Sequence, residues 1–270
     1  MYIDSHCHLN HKSNDEGSSP SELITNAKAN NVVGLQTICC RISEEYDQLT
    51  AIAEAHDNVW CSVGTHPHDA SNEAEKKYTL DDIVRLSKHS KVIGIGESGL
   101  DYFYDHADRK DQAESFRKHI QACQETGLPL IVHSRDADDD CMMIINEEIK
   151  NSPKPLNGVL HCFSSGEAMA MQGVDIGFYI SFSGMVTFKN MQWLRDIALK
   201  IPQDKVLIET DAPFLAPVPY RGKPNQSAYV EYTALELAKL HNKPREEMGE
   251  LTMKNFFTLF DKAKDTWVQM

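Results

Sequence analysis

The feature that most constrains this chain is a repeat of short apolar segments, each followed by a stretch with helical spacing of apolar residues. Many of the segments are apolar throughout, which is typical of strands buried on both faces of a parallel sheet. Eight such units predict an α/β fold, a (β/α)8 TIM barrel. The predicted strands are Tyr2–Ser5, Val32–Cys39, Val59–Val63, Val92–Gly96, Leu130–His133, Gly158–His161, Ile176–Ser181 and Val206–Glu209.

Helical patterns fill the intervals between these strands. After the fourth strand, for example, Phe116, Ile120 and Cys123 recur at helical spacing. Gly127 follows them as a stop signal. The predicted helices are Ser21–Asn30, Glu44–His56, Leu80–His89, Gln112–Thr126, Ala137–Lys150, Gly166–Gln172, Asn190–Lys200 and Ala228–His241, with a helical tail over Arg245–Lys264.

The main competing fold is a doubly wound open sheet. Gly94, Gly96 and Gly99 match the dinucleotide-binding pattern GxGxxG directly after a strand. That pattern needs a helix that begins at its glycines, and it belongs to the first strand of its sheet. Here residues 100–105 read LDYFYD and follow the fourth strand, so we favour the barrel.

The length of 270 residues fits one large α/β barrel or two average domains. No Gly/Ser linker or Pro-rich hinge separates the units, and the polar stretch Lys12–Ser21 falls inside the first βα loop. We therefore expect residues 1–270 to form one barrel domain.

Charge and cysteine content narrow the classes of function. With 27 basic and 40 acidic residues the net charge is −13, which disfavours non-specific coating of duplex DNA. A nucleic acid held in one cleft stays possible, because a bound metal dominates the local potential. No apolar stretch reaches the ~18 to 20 residues that span a bilayer, and no signal-peptide pattern is seen. Seven cysteines without CxxC spacing predict a reducing, cytoplasmic compartment.

Histidines and carboxylates stand at the ends of several predicted strands. His6 and His8 flank one residue, and the strand period of two directs both imidazoles to one face. The others, in the fourth, fifth, sixth and eighth units, are Glu97, His133, His161 and Asp211. The interval from His6 to Asp211 averages roughly 29 residues per unit, close to the ~31 of a 250-residue barrel. In such a barrel these side chains meet at one mouth.

Four histidines and two carboxylates exceed the needs of one tetrahedral site. They suit two metal ions ~3.5 to 4 Å apart that share a carboxylate, a layout used to hydrolyse phosphoesters. The competing interpretation makes His133 and His161 core histidines that backbone groups satisfy. It fits single histidines, whereas six titratable groups at strand ends indicate a two-metal hydrolase.

Six motifs surround these residues: HCH (6–8), GTHPH (64–68), GESGLDY (96–102), LIVHSR (130–135), HCFS (161–164) and ETDAP (209–213). Together they resemble the TatD family of metal-dependent deoxyribonucleases over nearly the whole chain. The resemblance implies an amidohydrolase-type barrel that binds two divalent metal ions (Mg, Mn or Zn) and acts on DNA.

The resemblance also implies a role for each of these residues. It makes His6, His8 and Asp211 ligands of one metal, His133 and His161 ligands of the other, and Glu97 the bridge. Asp211 and Glu97 are then the catalytic carboxylates. We expect Asp211 to act as the base that orients the attacking hydroxide, because a carboxylate beside it can accept its proton.

Substrate contacts are expected from His66, Arg135, Arg221, Lys223 and Asn225. His66 ends the third strand at the same mouth and is expected to bind a phosphate oxygen. Barrel loops after strands seven and eight often form phosphate sites, and Arg supplies a forked donor. The alternatives are a loop histidine at position 66 and solvated surface cations on the loop.

The loop departs from the family pattern. Where the family usually reads RGKRNEP, residues 221–227 read RGKPNQS, so Pro224 replaces a basic residue. Residues 161–166 read HCFSSG and carry an extra serine before the glycine. The predicted metal ligands are unaffected, whereas affinity for the substrate is open.

Two enzymatic functions remain open. The first is a phosphodiesterase that removes nucleotides from the 3′ end of single-stranded DNA, because a small positive patch suits a strand terminus better than a duplex. The second is an acyl hydrolase acting on an aminoacyl-tRNA or a small amide, because the same chemistry attacks an acyl carbon. Glu97 argues against the amide branch, where related enzymes often use a modified lysine. A non-catalytic binding module would hold these ligands without a metal, and the oligomeric state is open.

Overall fold

A parallel barrel forms the frame of the structure, a computed structural model that describes residues 1–12 and 18–269. Within these residues eight strands pair in sequence order, each parallel to the next. They are β1 (Tyr2–Cys7), β2 (Val32–Thr37), β3 (Val59–Val63), β4 (Val92–Asp101), β5 (Leu130–Arg135), β6 (Gly158–Leu160), β7 (Tyr179–Phe182) and β8 (Val206–Ile208). The (β/α)8 prediction is confirmed.

Helices follow the strands around the outside of the barrel. They are α1 (Pro20–Ala29), α2 (Ile42–Ala55), α3 (Leu80–Leu86), α4 (Arg109–Thr126), α5 (Asp138–Asn151), α6 (Glu167–Asp175), α7 (Gln192–Ala198), α8 (Val230–Leu240) and α9 (Arg245–Leu259). No described helix is long and apolar enough to cross a membrane.

Local sequence sets several of the helix ends. Ser19 caps α1 in a capping box with Glu22, which satisfies amide groups that the first turn leaves without partners. Gly127 ends α4 in the left-handed conformation, and its amide donates to the carbonyl of Cys123.

The seam between the first and last strands is closed just beyond β8. The amide of Asp211 donates to the carbonyl of His6 over 2.9 Å, and that of His8 donates to Ala212 over 2.8 Å. These bonds bring two candidate ligands at the end of β1, His6 and His8, beside the candidate ligand that follows β8.

The glycine-rich strand β4 departs most from the expected boundaries. It continues to Asp101, so Glu97 lies inside the strand rather than at its end. Gly99 has a φ of +150°, and a Cβ there would lie 1.9 Å from the carbonyl oxygen of His133. The glycines of the GxGxxG match therefore allow close approach of β4 to β5 and open no helix.

Several other boundaries differ from prediction by a few residues, among them the start of β7 and the end of α3. β7 begins at Tyr179 rather than Ile176, because Gly177 has a φ of +94° and belongs to the preceding turn. α3 ends at Leu86, short of the predicted His89.

A second apolar cluster closes the barrel at the amino ends of the strands. It takes one buried residue from each of the eight strands: Ile3, Val33, Trp60, Ile93, Ile131, Val159, Tyr179 and Leu207. Phe256, Leu259 and Phe260 from the end of α9 pack against them. Trp60 also donates its indole N–H to Thr266 Oγ1 over 2.9 Å. We call this cluster the floor of the barrel.

Candidate metal centre

The carboxyl ends of the strands surround a cleft of about 1760 Å³. Five of the six predicted metal ligands line it: His8, Glu97, His133, His161 and Asp211. The sixth, His6, is buried with 1% exposure. The structure thus brings together all the residues predicted as ligands from strands that are distant in the sequence.

Glu97 occupies the centre of this group. Its Oε1 lies 2.7 Å from His161 Nε2 and 2.8 Å from His133 Nδ1. The same oxygen lies 3.4 Å from His66 Nε2. The other oxygen, Oε2, lies 3.3 Å from His6 Nε2. One carboxylate therefore presents its two oxygens to two different sets of imidazoles.

Asp211 faces His6 of β1 and His8, which directly follows that strand. Its Oδ1 lies 3.3 Å from His8 Nε2 and 3.8 Å from His6 Nε2. The Asp211 side chain is 15% exposed, compared with 4% for Glu97. Of the two carboxylates, Asp211 is the one that solvent in the cleft reaches more readily.

Three groups of side chains place their ligand atoms within 4.8 Å of one another. They are His6, His161 and Asp211; His6, His8 and Glu97; and His66, Glu97 and His133. His66, predicted to contact a phosphate, is thus brought into a possible ligand group. The alternative of a solvated loop histidine does not fit its burial beside Glu97.

Neighbouring imidazoles favour the ionised form of both carboxylates. Burial alone would raise the pKa of Glu97, but positive charge on His161 and His66 holds it well below its usual value. Burial also acts upward on Asp211, and the hydrogen bond from His8 keeps the pKa of that carboxyl low. An ionised carboxylate is the form that binds a metal.

His6 provides a test of whether a cation fits. Burial, together with the charge of His161, lowers the pKa of His6 and favours the neutral imidazole, which is the metal-binding form. Although Glu97 Oε2 lies 3.3 Å from His6 Nε2, neither ring nitrogen of this buried side chain makes a well-directed hydrogen bond among the described residues. A buried polar atom without a partner is costly, and a cation between His6 and the carboxylates would supply one. The residues present therefore fit a metal centre.

Asp101 is a candidate functional residue that the sequence did not reveal. Its buried Oδ2 lies 3.0 Å from His133 Nε2 and 2.9 Å from His68 Nε2. Burial would raise the pKa of Asp101, but the His133 hydrogen bond keeps it low. A carboxylate on the far nitrogen of a ligand histidine fixes the orientation of the ring. Its even spacing from Glu97 along β4 is the signal that could have revealed it.

Glu209 holds His161 in a similar way. Its Oε1 lies 3.2 Å from His161 Nδ1, and the side chain is fully buried. Burial lowers the pKa of His161, but Glu97 and Glu209 raise it well above the usual value. Glu209 precedes Asp211 by two residues, a spacing that strand periodicity could have flagged.

The predicted basic residues are not gathered at one place. Arg135 lines the cleft, with its guanidinium 4.1 Å from the centroid of the Phe103 ring. Arg221 and Lys223 are exposed and do not line the cleft. The Arg221 guanidinium lies 3.7 Å from the centroid of Phe188 instead. Arg135 is thus the predicted substrate-binding cation that the structure places in the cleft.

The prediction for Asn225 is corrected by its burial. Asn225 is 2% exposed, and its side-chain amide donates to the carbonyls of Thr210 at 2.8 Å and Phe214 at 2.7 Å. With its donors occupied in this way, Asn225 anchors the loop after β8 and does not face a substrate.

Comparison with known proteins gives matches along the whole barrel. The family model described as TatD related DNase matches residues 3–261. An Escherichia coli strain K12 protein named uncharacterized metal-dependent hydrolase YcfH is 39% identical over 265 residues, covering 96% of this chain and 95% of that protein.

Two further matches bear on structure and activity. The crystal structure of YjjV, a TatD homolog from Escherichia coli K12, superposes with a TM-score of 0.85 and 25% identity, covering 96% of this chain and 98% of that one. A Salmonella typhimurium protein named 3′-5′ ssDNA/RNA exonuclease TatD is 29% identical over 245 residues, covering 89% of this chain and 92% of its own length.

Proposed function

This chain belongs to the TatD-related DNase family, and we propose that it is a metal-dependent hydrolase that removes nucleotides from the 3′ end of single-stranded DNA. The observation that carries the proposal is the position of Glu97, with His133 and His161 near one oxygen and His6 near the other. This is the arrangement expected of a carboxylate that holds two cations.

We assign His6, His8 and Asp211 to one metal, His133 and His161 to the other, and Glu97 to both. His66 lies close enough to Glu97 to join the second set. When bound, the metals supply charge to a phosphate and make a water molecule more acidic. Nitrogen and oxygen ligands together favour Zn²⁺ or Mn²⁺ over Mg²⁺, which prefers oxygen ligands and water.

Asp211 is the proposed general base. It lies beside His6 and His8, and its side chain is partly exposed in the cleft. Its pKa is lowered, so that it is ionised and able to accept a proton from water. Glu97 lies deeper, among four histidines that compete for its oxygens. Asp211 therefore receives the proton, and Glu97 fixes the geometry.

The proposed substrate, single-stranded DNA, and the proposed 3′-to-5′ direction rest on the name of a relative and on the shape of the cleft. The Salmonella relative is named a 3′-5′ exonuclease of single-stranded DNA and RNA. A cleft bounded by the loops of the barrel mouth receives a strand terminus more readily than a long duplex. The net charge of −13 also disfavours extended contact with a polyanion.

The test is hydrolysis by the purified protein with Mg²⁺, Mn²⁺ or Zn²⁺. We expect 5′-labelled single-stranded DNA to shorten one nucleotide at a time, and Asp211→Asn to slow this by ~10²-fold or more. Asp139→Asn, a change of an exposed carboxylate on the rim, is the control and should act at the normal rate. Hydrolysis of an aminoacyl-tRNA without cleavage of DNA would replace the proposal with the acyl-hydrolase function.

A further inference from the structure

Two large aromatic side chains lie exposed at the mouth of the barrel. Phe103 is 55% exposed and Tyr104 is 48% exposed, and both line the cleft. They follow β4 directly, and their rings meet edge to face with centroids 4.9 Å apart. Neighbouring exposed aromatic rings in a cleft are a candidate surface for binding a ligand.

Arg135 completes this surface. Its guanidinium lies 4.1 Å from the centroid of Phe103 and 4.6 Å from that of Tyr104. Within residues 1–12 and 18–269, Arg135 forms no ion pair. A planar guanidinium over aromatic rings presents a flat, cationic face that also stacks well on a base. We call Phe103, Tyr104 and Arg135 the aromatic ledge.

Asp101 attaches the ledge to the candidate metal centre. Its Oδ1 accepts hydrogen bonds from the amides of Phe103 at 3.1 Å and Tyr104 at 3.0 Å. Its other oxygen, Oδ2, lies 3.0 Å from His133 Nε2. A single carboxylate therefore links the backbone of the ledge to the ring of a candidate ligand, so the ledge lies next to the candidate metal centre.

The charged side chains that line the cleft are mostly acidic, which disfavours binding of phosphates. Among the described residues that line it, ten are Asp or Glu and three are Lys or Arg. One of the three, Arg41, already pairs with Glu44 and Glu45. Bound metals offset part of this negative charge, but a strand held mainly by phosphate contacts needs several cations. Stacking of bases on aromatic rings needs none.

We propose that the aromatic ledge stacks on a nucleobase of the substrate strand close to the scissile bond, so that the site holds single-stranded DNA by a base rather than by its phosphates. This rests on the proposed function and adds the feature of the strand that is recognised. Duplex ends are disfavoured, because a paired base cannot leave its stack without an added cost.

The experiment compares binding of an intact DNA strand with binding of strands that lack one base. Binding of a labelled five-nucleotide DNA is measured by fluorescence anisotropy with Zn²⁺ in the Asp211→Asn background, in which cleavage of the strand should be slower by ~10²-fold or more. Abasic nucleotides are placed in turn at each of the three terminal positions. The double variant Phe103→Leu/Tyr104→Leu should weaken binding of the intact strand about tenfold. For the strand that is abasic at the stacked position, the same variant should change nothing. Leu199→Ala, an exposed leucine outside the cleft, is the matched control.

Arg135 separates stacking from phosphate binding. Arg135→Lys keeps the charge but loses the planar group, so we expect it to weaken binding nearly as much as Arg135→Gln. Full affinity in Arg135→Lys together with a loss in Arg135→Gln would make residue 135 a phosphate contact and overturn its place in the ledge.

Cleavage by the unmodified protein is measured in parallel. Base-dependent binding without cleavage at any metal would leave the ledge in place and overturn the proposed function. Cleavage with the same KM for intact and abasic strands, and for the ring variants, would overturn the ledge alone. Absence of both binding and cleavage would overturn both.

Discussion

The two ends of the barrel are built from the same strands and have opposite chemistry. At the floor each strand contributes one apolar side chain, and the end of α9 seals them from water. At the mouth, imidazoles and carboxylates from the carboxyl ends of the strands lie close together, with His133 and His161 within 2.8 Å of Glu97. The difference shows that stability and chemistry are assigned to opposite ends of one frame.

Without a bound cation, the clustered ionisable groups at the mouth lower the stability of the fold. Burial of several ionisable groups carries a desolvation penalty that mutual hydrogen bonds repay only in part. His6 shows this directly, because neither of its buried ring nitrogens makes a well-directed hydrogen bond among the described residues. We therefore expect changes at the mouth to affect catalysis and metal content, and changes at the floor to affect folding.

The largest effect is expected from Glu97→Ala. Removal of the shared carboxylate should lower kcat by about 10³-fold or more, since metal-ion catalysis supplies several kcal/mol, and should lower bound metal. Steady-state kinetics and elemental analysis of the purified protein check this.

The matched control is Glu75→Ala, another buried glutamate. Glu75 accepts hydrogen bonds from Thr65, Ser43 and the amide of Ile42 and faces no candidate ligand. Its loss should lower stability and leave metal content unchanged. If both variants lost stability and retained metal, the contrast between structural and functional carboxylates would be wrong.

At the opposite end, Phe256→Ala should destabilise the fold by about 3 to 5 kcal/mol, because it empties a fully buried site in the floor. The folded fraction should keep the normal kcat at low temperature. Phe257→Ala, at a partly buried neighbour, should cost less. Denaturant titration together with activity of the folded protein separates the two effects, and a loss of kcat in folded Phe256→Ala would break the comparison.

Asp101→Asn tests whether the mouth depends on its supporting carboxylate. The amide keeps the size of the side chain but removes the charge that holds His133, so metal affinity or activity should fall by about 10 to 100-fold. Metal titration is the decisive measurement, because a residue that only supported the loop would change stability without shifting the metal affinity.

The smallest effect concerns His119 on α4, a histidine outside the mouth. Burial lowers the pKa of His119 to about 4, and its Nε2 accepts a hydrogen bond from the amide of Thr65. The unfolded chain binds a proton below pH ~6.5 whereas the folded chain does not, so stability should fall as pH drops from about 6.5 towards 4. The loss attributable to this residue is about 2 kcal/mol at pH 5.

Denaturant titrations at pH 7 and pH 5 check this prediction. His119→Gln keeps an acceptor for Thr65 and removes the titration, so its stability should depend less on pH than that of the unmodified protein. Equal pH dependence in both proteins would remove His119 as a source of acid lability.

Much of the frame was readable from the sequence because its signals are local. Apolar runs located the strands, and the period of two in HCH placed His6 and His8 together. The extension of β4 to Asp101 was missed, since glycines usually weaken a strand, and here they permit close approach to β5.

Contacts between segments that are distant in the chain could not be predicted from the sequence. The sequence marks α9 as helical, but not that Phe256 and Phe260 close the floor. In the same way, the sequence predicts Arg221 as a phosphate contact but does not show that its guanidinium lies over the ring of Phe188. Such roles depend on which segments meet, and no local pattern encodes that.

The seam of the barrel has a consequence for synthesis of the protein. Asp4 in β1 accepts hydrogen bonds from Thr210, 206 residues later, beside the contact of Asp211 with His8. Closing so long a loop carries a large entropic cost before any contact rewards it. On the ribosome, a chain that has emerged only as far as α7 holds the histidines and Glu97 but lacks Asp211. The group of candidate ligands that includes Asp211 can therefore be completed only late in synthesis, after β8 has emerged.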